Sequence, residues 1–478
     1  MALPDLIEIV PLAAPVRAEI TVPGSKSITN RALILAALAD GETILKGALW
    51  SEDTQIMVEC LQELGFMVNV EADPVETCNR AITVYGTGGA VPRGGTEAQP
   101  LDLFVGNAGT AARFLAPFLC LGSGVYRLHG VPRMHERPQA ALFLALRELG
   151  YRIESENEND KLPAIIFAGT AGQPPQSYTQ FERRKAAPAA PKKCRVSIEE
   201  SSQFASALLM CAANGNWEIE IVGGNEDELP YVTMTLKLMQ AFPEKGGTFQ
   251  IEPDASSGSY FWAVSAFISM AASGQANMSV YELALAFRQG TQPKRLFAVR
   301  VPHWPDSGWQ IDQNFPRLLR PSADFPGVVS RVSDLGDSIM TAIVVAPFGS
   351  KQSKFTDLGR LRVQECERVV ALRTELTKCG AKVIEEGDTL TVYPSKLEEL
   401  HGAEIETYND HRMAMCFAIL GLKVPGIKIK NPACVKKTFP NFFQKLAAQP
   451  PHGLGAEIWE IKNGQRTRKL TGDDLFAD

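Results

Sequence analysis

Residues Thr54–Glu71, "TQIMVECLQELGFMVNVE", decide the fold, because their layout returns twice more in the chain. The other copies are "QAALFLALRELGYRIESE", Gln139–Glu156, and "ERVVALRTELTKCGAKVIEE", Glu367–Glu386. Each carries apolar residues at helical spacing, then Gly65, Gly150 or Gly380 where a helix C-terminus needs a left-handed residue. An alternating strand follows, then a polar turn and a second strand: "AITVYGTGG", "AIIFAGTAG" and "TLTVYPSKL". "LPYVTMTLKLMQAF" with "TFQIEPDASS" reads as a looser fourth copy, and "GWQIDQNFPRLL" as the opening of a fifth. The repeated unit is a helix laid on a small sheet, so the predicted class is mixed α/β.

A chain of 478 residues predicts two or three domains. With 45% hydrophobic and 21% charged residues it has the composition of an ordinary globular protein. The start, "MALPDLIEIVPLAAPVR", lacks the basic segment and apolar core of a signal peptide. Together with nine scattered cysteines lacking a CxxC or Cys/His pattern, this predicts reduced thiols and a cytoplasmic location. No apolar run reaches the ~18 residues of a membrane span. A net charge of −6 argues against a nucleic-acid binder, so any cationic site must be a local concentration of charge. Gly172 to Lys193 and Met270 to Pro305 read as insertions, and the polar residues 451–478 as a peripheral C-terminal tail.

Candidate chemistry collects where strands or loops enter helices. "TVPGSKSITNRALILAALADGET" puts Lys26, Ser27 and Arg31 at such a junction. Helix N-termini already carry partial positive charge, so cations there are unfavourable unless an anion joins them. "GNAGTAARF" repeats the design with Asn107, Gly109, Thr110 as a cap, and Arg113. "PRMHERPQ" adds Arg133, His135 and Arg137, and "SSQ" offers Ser201, Ser202 and Gln203. Further on come Asp334 and Asp337, then Gln364, Glu365 and Arg368, then Asp410, His411 and Arg412, and last Lys436 and Lys437. Each has a plain structural account: Asp337 as a helix cap, Glu365 with Arg368 as a surface pair, the Arg/His cluster as a solvated face. Taken together, the cations outnumber the neighbouring acids and predict a polyanion site.

Seven segments together resemble the 5-enolpyruvylshikimate-3-phosphate (EPSP) synthase family: "PGSKSITNRA", "GNAGTAAR", "RMHERP", "SSQFASALLM", "PDASSGSYF", "YNDHRMAM" and "KTFP". The resemblance runs from about Pro15 to Leu446. It implies two similar domains, each of three helix-and-sheet units in an inside-out α/β barrel, with the active site in the cleft between them. Residues 1–22 and 253–450 would form one domain and 23–252 the other. The implied reaction moves the enolpyruvyl group of phosphoenolpyruvate to the 5-hydroxyl of shikimate 3-phosphate, a step towards chorismate and the aromatic amino acids. By resemblance Lys26, Asp337 and Glu365 are catalytic. Lys26, Ser27, Arg31, Ser201, Ser202, Gln203, Tyr231, Asp337 and Gln364 would hold shikimate 3-phosphate. Lys26, Asn107, Gly109, Thr110, Arg137, Gln203, Glu365, Arg368, Arg412 and Lys437 would hold phosphoenolpyruvate.

No metal or organic cofactor, nucleic acid or membrane is implied; a monomer is expected, and inhibition by the phosphoenolpyruvate mimic glyphosate. Four residues depart from the family pattern: Gln364 for a lysine, Arg360 for an asparagine, Phe114 for a frequent proline, and Glu228 for a serine. Arg360 or Arg362 is expected to supply the charge that Gln364 lacks, and Phe114 to press its loop inward. Two other readings keep the fold: transfer to UDP-N-acetylglucosamine, and a degenerate paralogue that binds anionic metabolites without turnover.

Overall fold

The computed structural model describes residues 3–169, 190–223, 229–268, 298–320 and 323–477. The chain divides into a continuous unit, Gly24–Glu252, and a discontinuous unit, Met1–Pro23 with Pro253–Asp478. The three repeats stand as read. Helices Glu52–Glu63, Ala140–Glu148 and Arg368–Lys378 each lead into a two-stranded antiparallel hairpin. Gly65, Gly150 and Gly380 have φ of +89°, +90° and +88°, so each ends its helix in a conformation that disfavours a side chain.

The hairpins extend into three four-stranded sheets of one topology. In each, the inner hairpin strand pairs antiparallel with a strand that itself pairs parallel with a fourth. The parallel pairs are Asp40–Leu49 with Gly247–Gln250, Leu101–Phe104 with Val125–His129, and Val328–Ser330 with Ser353–Thr356. A parallel pair needs a crossover, and two of these crossovers contain a buried helix: Gly109–Cys120 and Ile339–Val345. The looser fourth copy supplies helix Leu229–Ala241 and the strand Gly247–Gln250. The expected fifth amounts to a short 3-10 turn, Ile311–Asn314, and a four-residue helix, Phe315–Leu318. Pro316 and two further prolines nearby, Pro321 and Pro326, give that stretch little chance of a longer helix.

Each unit is built around three helices that touch one another: Lys26–Leu38, Gly109–Cys120 and Ser202–Gly215 in one, Ala255–Ile268, Ile339–Val345 and His411–Gly421 in the other. All seven residues of Ile339–Val345 are buried, as are all but Thr110 in Gly109–Cys120. Burying each Leu, Ile, Val or Phe side chain contributes about 1.5–3 kcal/mol. Helices lie inside and sheets lie against them; no closed barrel of strands forms among the described residues.

The residues after Pro450 correct the expectation of a peripheral tail. Strands Ile458–Lys462 and Gln465–Lys469 extend a five-stranded sheet beside the N-terminal strand Leu6–Ile9. "QRTRK" has no apolar alternation because it is an outer strand, held by Arg466 to Glu8 and Arg468 to Asp474. Lys192 and Lys193, placed in an insertion, begin the strand Lys192–Ser197; residues 172–189 of that insertion lie outside the described residues. So do residues 270–297 of the second insertion, whose later part holds the short strand Val299–Arg300.

Candidate active site

The continuous unit gathers its predicted residues at the starts of its three central helices. Lys26 opens helix Lys26–Leu38 after Ser25, which among the described residues supplies no side-chain cap. The helix Gly109–Cys120 starts after Ala108 in the same uncapped way, and neither first turn holds an acid. Both helices therefore present first-turn N–H groups without an acidic residue to meet them, a favourable setting for an anion. Thr110, expected as a cap, sits inside the helix, and its Oγ1 accepts from Gln203 Nε2 at 3.3 Å. Gln203 Oε1 accepts from Arg113 at 2.7 Å, and Ser201 caps the third helix by accepting from the Gln203 N–H at 3.3 Å. Arg137 Nη1 donates to the Asn107 carbonyl oxygen at 3.3 Å, on the approach to Gly109. Tyr231 lies in the first turn of helix Leu229–Ala241, and Ser202 is buried beside Ser201.

Two cations here have partners the sequence did not mark. Lys26 Nζ bonds Asp53 Oδ2 at 3.0 Å, and Asp53 is buried. Arg31 is buried too; it donates to Thr235 Oγ1 at 2.7 Å, the Ser27 carbonyl at 2.9 Å and Ser206 Oγ at 3.3 Å. Burial lowers the Arg31 pKa to about 10. The Phe114 ring lies 5.2 Å from its guanidinium carbon. The Phe114 ring thus lies against the Arg31 guanidinium, where its face can support the cation. Glu228 lies outside the described residues.

The discontinuous unit brings together Asp337, Gln364, Glu365, Arg368, Arg412 and Lys437. Asp337 is no helix cap: Ser338 stands at that position, and the Asp337 carboxylate faces three arginines. Its Oδ1 accepts from Arg331 at 3.0 Å, while Oδ2 lies 3.4 Å from Arg412 and 3.8 Å from Arg368. Burial pushes the Asp337 carboxyl up, but Arg412, Arg331 and Arg368 together outweigh it and hold it well below the usual carboxylate range. Arg368, far from the surface pair of the plain account, is buried between Asp410 at 2.6 Å and Glu365 at 2.8 Å. Lys437 reaches Glu365 at 3.2 Å, and Arg412 also donates to Ser256. Asp410 in turn caps helix His411–Gly421 through the Arg412 N–H at 2.8 Å.

These pairs give each of the cations a carboxylate partner. Asp337, Glu365 and Asp410 pair with Arg331, Arg368, Arg412 and Lys437, three carboxylates against four cations, so an arriving anion competes with carboxylates for them. The three acids were counted from the sequence, but not their partners: Asp410 serves Arg368 from 42 residues away. The Arg362 compensation is also corrected. That side chain turns to Glu367 at 2.5 Å and to Glu385 and Asp388 at 2.8 Å each, while Gln364 Oε1 accepts from Arg368. Asp312, Arg331, Asp53 and Ser256 were missed altogether. Asp312 in "QIDQNF", Asp53 in "SEDTQ" and Ser256 in "DASSG" lie among other polar residues, so nothing local set them apart. Cys366 adjoins Glu365, with Sγ 3.5 Å from Asp410; burial pushes its thiol up to about 12, so it is no thiolate nucleophile. Among the described residues no cluster of His, Cys, Asp and Glu could hold a metal ion, and no helix is long and apolar enough to cross a membrane.

Comparison with known proteins gives the family. A model of the family described as EPSP synthase (3-phosphoshikimate 1-carboxyvinyltransferase) matches residues 11–446. Proteins named 3-phosphoshikimate 1-carboxyvinyltransferase are similar along almost their whole length. The one from Nostoc punctiforme is 34% identical over 468 residues, covering 92% of this chain and 98% of the relative. The one from Opitutus terrae is 36% identical over 478 residues, covering 94% and 98%. Among solved structures, EPSP synthase from Acinetobacter baumannii aligns with a TM-score of 0.64 at 19% identity, over 95% of this chain and 100% of that one. The enolpyruvyl transferase NikO from Streptomyces tendae aligns with a TM-score of 0.58 at 13% identity, over 98% and 100%. At those identities the two structures speak for the fold alone. The chain belongs to the EPSP synthase (3-phosphoshikimate 1-carboxyvinyltransferase) family.

Proposed function

We propose that the protein transfers the enolpyruvyl group of phosphoenolpyruvate to the 5-hydroxyl of shikimate 3-phosphate and releases inorganic phosphate. The observation that carries this reading is the cluster of Asp337, Glu365, Arg368, Arg412 and Lys437. It sets two carboxylates among cations that an incoming carboxylate and phosphate can claim.

The chemistry needs a proton moved at two atoms. The 5-hydroxyl loses its proton as its oxygen bonds to C2 of phosphoenolpyruvate, and C3 gains one to become a methyl group. In the second step the methyl gives back a proton, the C2–C3 double bond re-forms, and the C–O bond to phosphate breaks. Asp337 and Glu365, assisted by Lys26, are the proposed proton carriers, each contributing roughly 10²–10⁴-fold. The carboxylate and phosphate of phosphoenolpyruvate would take Arg368, Arg412, Lys437, Arg137, Lys26 and Gln203, along with Asn107, Gly109 and Thr110 at the helix start. Those cations also stabilise the departing phosphate. Shikimate 3-phosphate would take Ser201, Ser202, Gln203, Tyr231, Lys26, Ser27 and Arg31. Arg31 serves that phosphate from a buried position, through the start of its helix.

Phosphate release tests the reading. With both substrates present the protein should release phosphate continuously, and with either alone it should release none. Tight binding of both without release would move the protein to the degenerate-paralogue reading.

A further inference from the structure

Arg331 stands outside every residue set the reaction calls upon, yet it makes the shortest bond to Asp337, 3.0 Å from Nη2 to Oδ1. Its side chain is 2% exposed, so solvent does not dilute the pairing. The turn it opens is fixed locally. Ser330 Oγ accepts from the N–H groups of Val332 and Ser333 at 3.1 and 3.2 Å, and the Ser330 N–H donates to Asp334 Oδ2 at 2.8 Å. Asp337 is held from its other side as well. Asp312 Oδ1 accepts the Ser338 N–H at 2.6 Å, and its carboxyl lies against Gly336, where a Cβ would approach Oδ2 to 2.8 Å.

The two oxygens of Asp337 therefore differ. Oδ1 belongs to Arg331, whereas Oδ2 faces Arg412 and Arg368, the two guanidinium groups proposed to take phosphoenolpyruvate. An anion that draws those two away strips Oδ2 of its cations and leaves Oδ1 paired. We propose that Arg331 is a positioning residue for the transfer reaction: it keeps Oδ1 of Asp337 fixed and charged while Oδ2 is turned over to the substrate hydroxyl. The inference rests on the proposed reaction, since it needs phosphoenolpyruvate to claim Arg368 and Arg412. The charged groups facing Asp337 are Arg331 from its own turn, Asp312 from Ile311–Asn314, Arg368 and Arg412 from their helices. Of these Arg331 alone remains a cationic partner once the substrate anion is bound.

Arg331→Met and Arg331→Lys, compared with the unaltered protein, test this through phosphate release between about pH 3 and 8, the interval that contains a depressed carboxylate limb, together with thermal melting at each pH. Arg331→Met should lower kcat by roughly 10–100-fold while changing KM for phosphoenolpyruvate by less than about threefold. Its acid limb in kcat should move up by about one to three pH units, because an opposite charge at this distance depresses a carboxyl by that much. Arg331→Lys should restore most of the loss. A folded Arg331→Met with unaltered kcat and acid limb overturns the assignment. So does a loss that tracks the melting temperature, leaves the acid limb in place and is not restored by lysine. If the unaltered protein releases no phosphate from the two substrates, the reaction itself is misread and this assignment falls with it; turnover by the unaltered protein with an indifferent Arg331→Met sinks the assignment alone.

Discussion

A Cβ on Gly109 would lie 2.5 Å from Nη1 of Arg137, so the start of this helix and the guanidinium share one space. Gly109→Ala is cheap for the fold, since the end of a long side chain can move aside. It is costly for function if Arg137 holds phosphoenolpyruvate from that spot. The expected outcome is a melting temperature within about 2 °C of the unaltered protein. KM for phosphoenolpyruvate should rise by roughly 10–100-fold, the worth of one charge-assisted hydrogen bond. Steady-state kinetics with phosphoenolpyruvate varied would show it, and an unchanged KM would remove Arg137 from the binding set.

Lys26→Met should abolish turnover, but not without a structural effect. Lys26 is bonded at 3.0 Å to the buried carboxylate of Asp53, and removing the ammonium strands that charge. The single variant is expected to melt several degrees lower. Lys26→Met combined with Asp53→Asn should regain most of the melting temperature and none of the activity. Recovery of turnover in the double variant would reduce Lys26 to a partner for Asp53.

How much of this was legible beforehand follows the range of each signal. The repeats were readable because helical spacing and a closing glycine are local, and the left-handed φ at Gly65, Gly150 and Gly380 is what those glycines serve. The junction residues were readable because they lie next to glycines and hydroxyls. Ion pairing was not, for Lys26 finds Asp53 27 residues on and Arg368 finds Asp410 42 residues on. Arg331 lies only six residues before Asp337, but a π-helical turn runs between them, and apolar periodicity gives no sign of its direction. Gln465–Lys469 escaped notice because an outer strand needs no apolar face, whereas Ile458–Lys462 was legible in "IWEIK" before the hairpin signal Asn463-Gly464, which was passed over.

Asp312 should give the stability a pH dependence of its own. Burial and then the charge of Asp337 push its carboxyl up to about 7 from an ordinary value of 3.8. The folded protein then keeps a proton that the unfolded chain releases in this interval. Stability from this group is present below about pH 4, falls as pH rises to about 7 and is level above. Its size is at most about 4 kcal/mol. Asp337 acts in the opposite sense, but its contribution is lost only as pH falls below about 4. Asp312→Asn keeps an acceptor for the Ser338 N–H and removes the titration, so it should gain on the unaltered protein by several degrees between pH 5 and pH 8. Parallel melting curves across that range would rule out an ionising Asp312.

Gln364→Lys restores the residue type the family pattern has at this position, and the expected result is a loss. Gln364 Oε1 accepts a hydrogen bond from Arg368, the same guanidinium that is held by Asp410 at 2.6 Å and Glu365 at 2.8 Å. A lysine would set an ammonium against that guanidinium, and the adjacent acid, Glu365, is already reached by Lys437 at 3.2 Å. Arg362 offers no relief, being turned away to Glu367, Glu385 and Asp388. Displacing Arg368 from one charge-assisted bond would cost about 1.5–3 kcal/mol, so kcat/KM for phosphoenolpyruvate should fall by about tenfold or more. Gln364→Met, neutral and of similar length, separates the lost acceptor from the added charge and should fall less. A rise in kcat/KM for shikimate 3-phosphate in Gln364→Lys would mean that the new ammonium takes over Glu365 and frees Arg368 for the substrate anion. In that case the glutamine is a defect in the site, and the pairing of Gln364 with Arg368 is what holds the enzyme back.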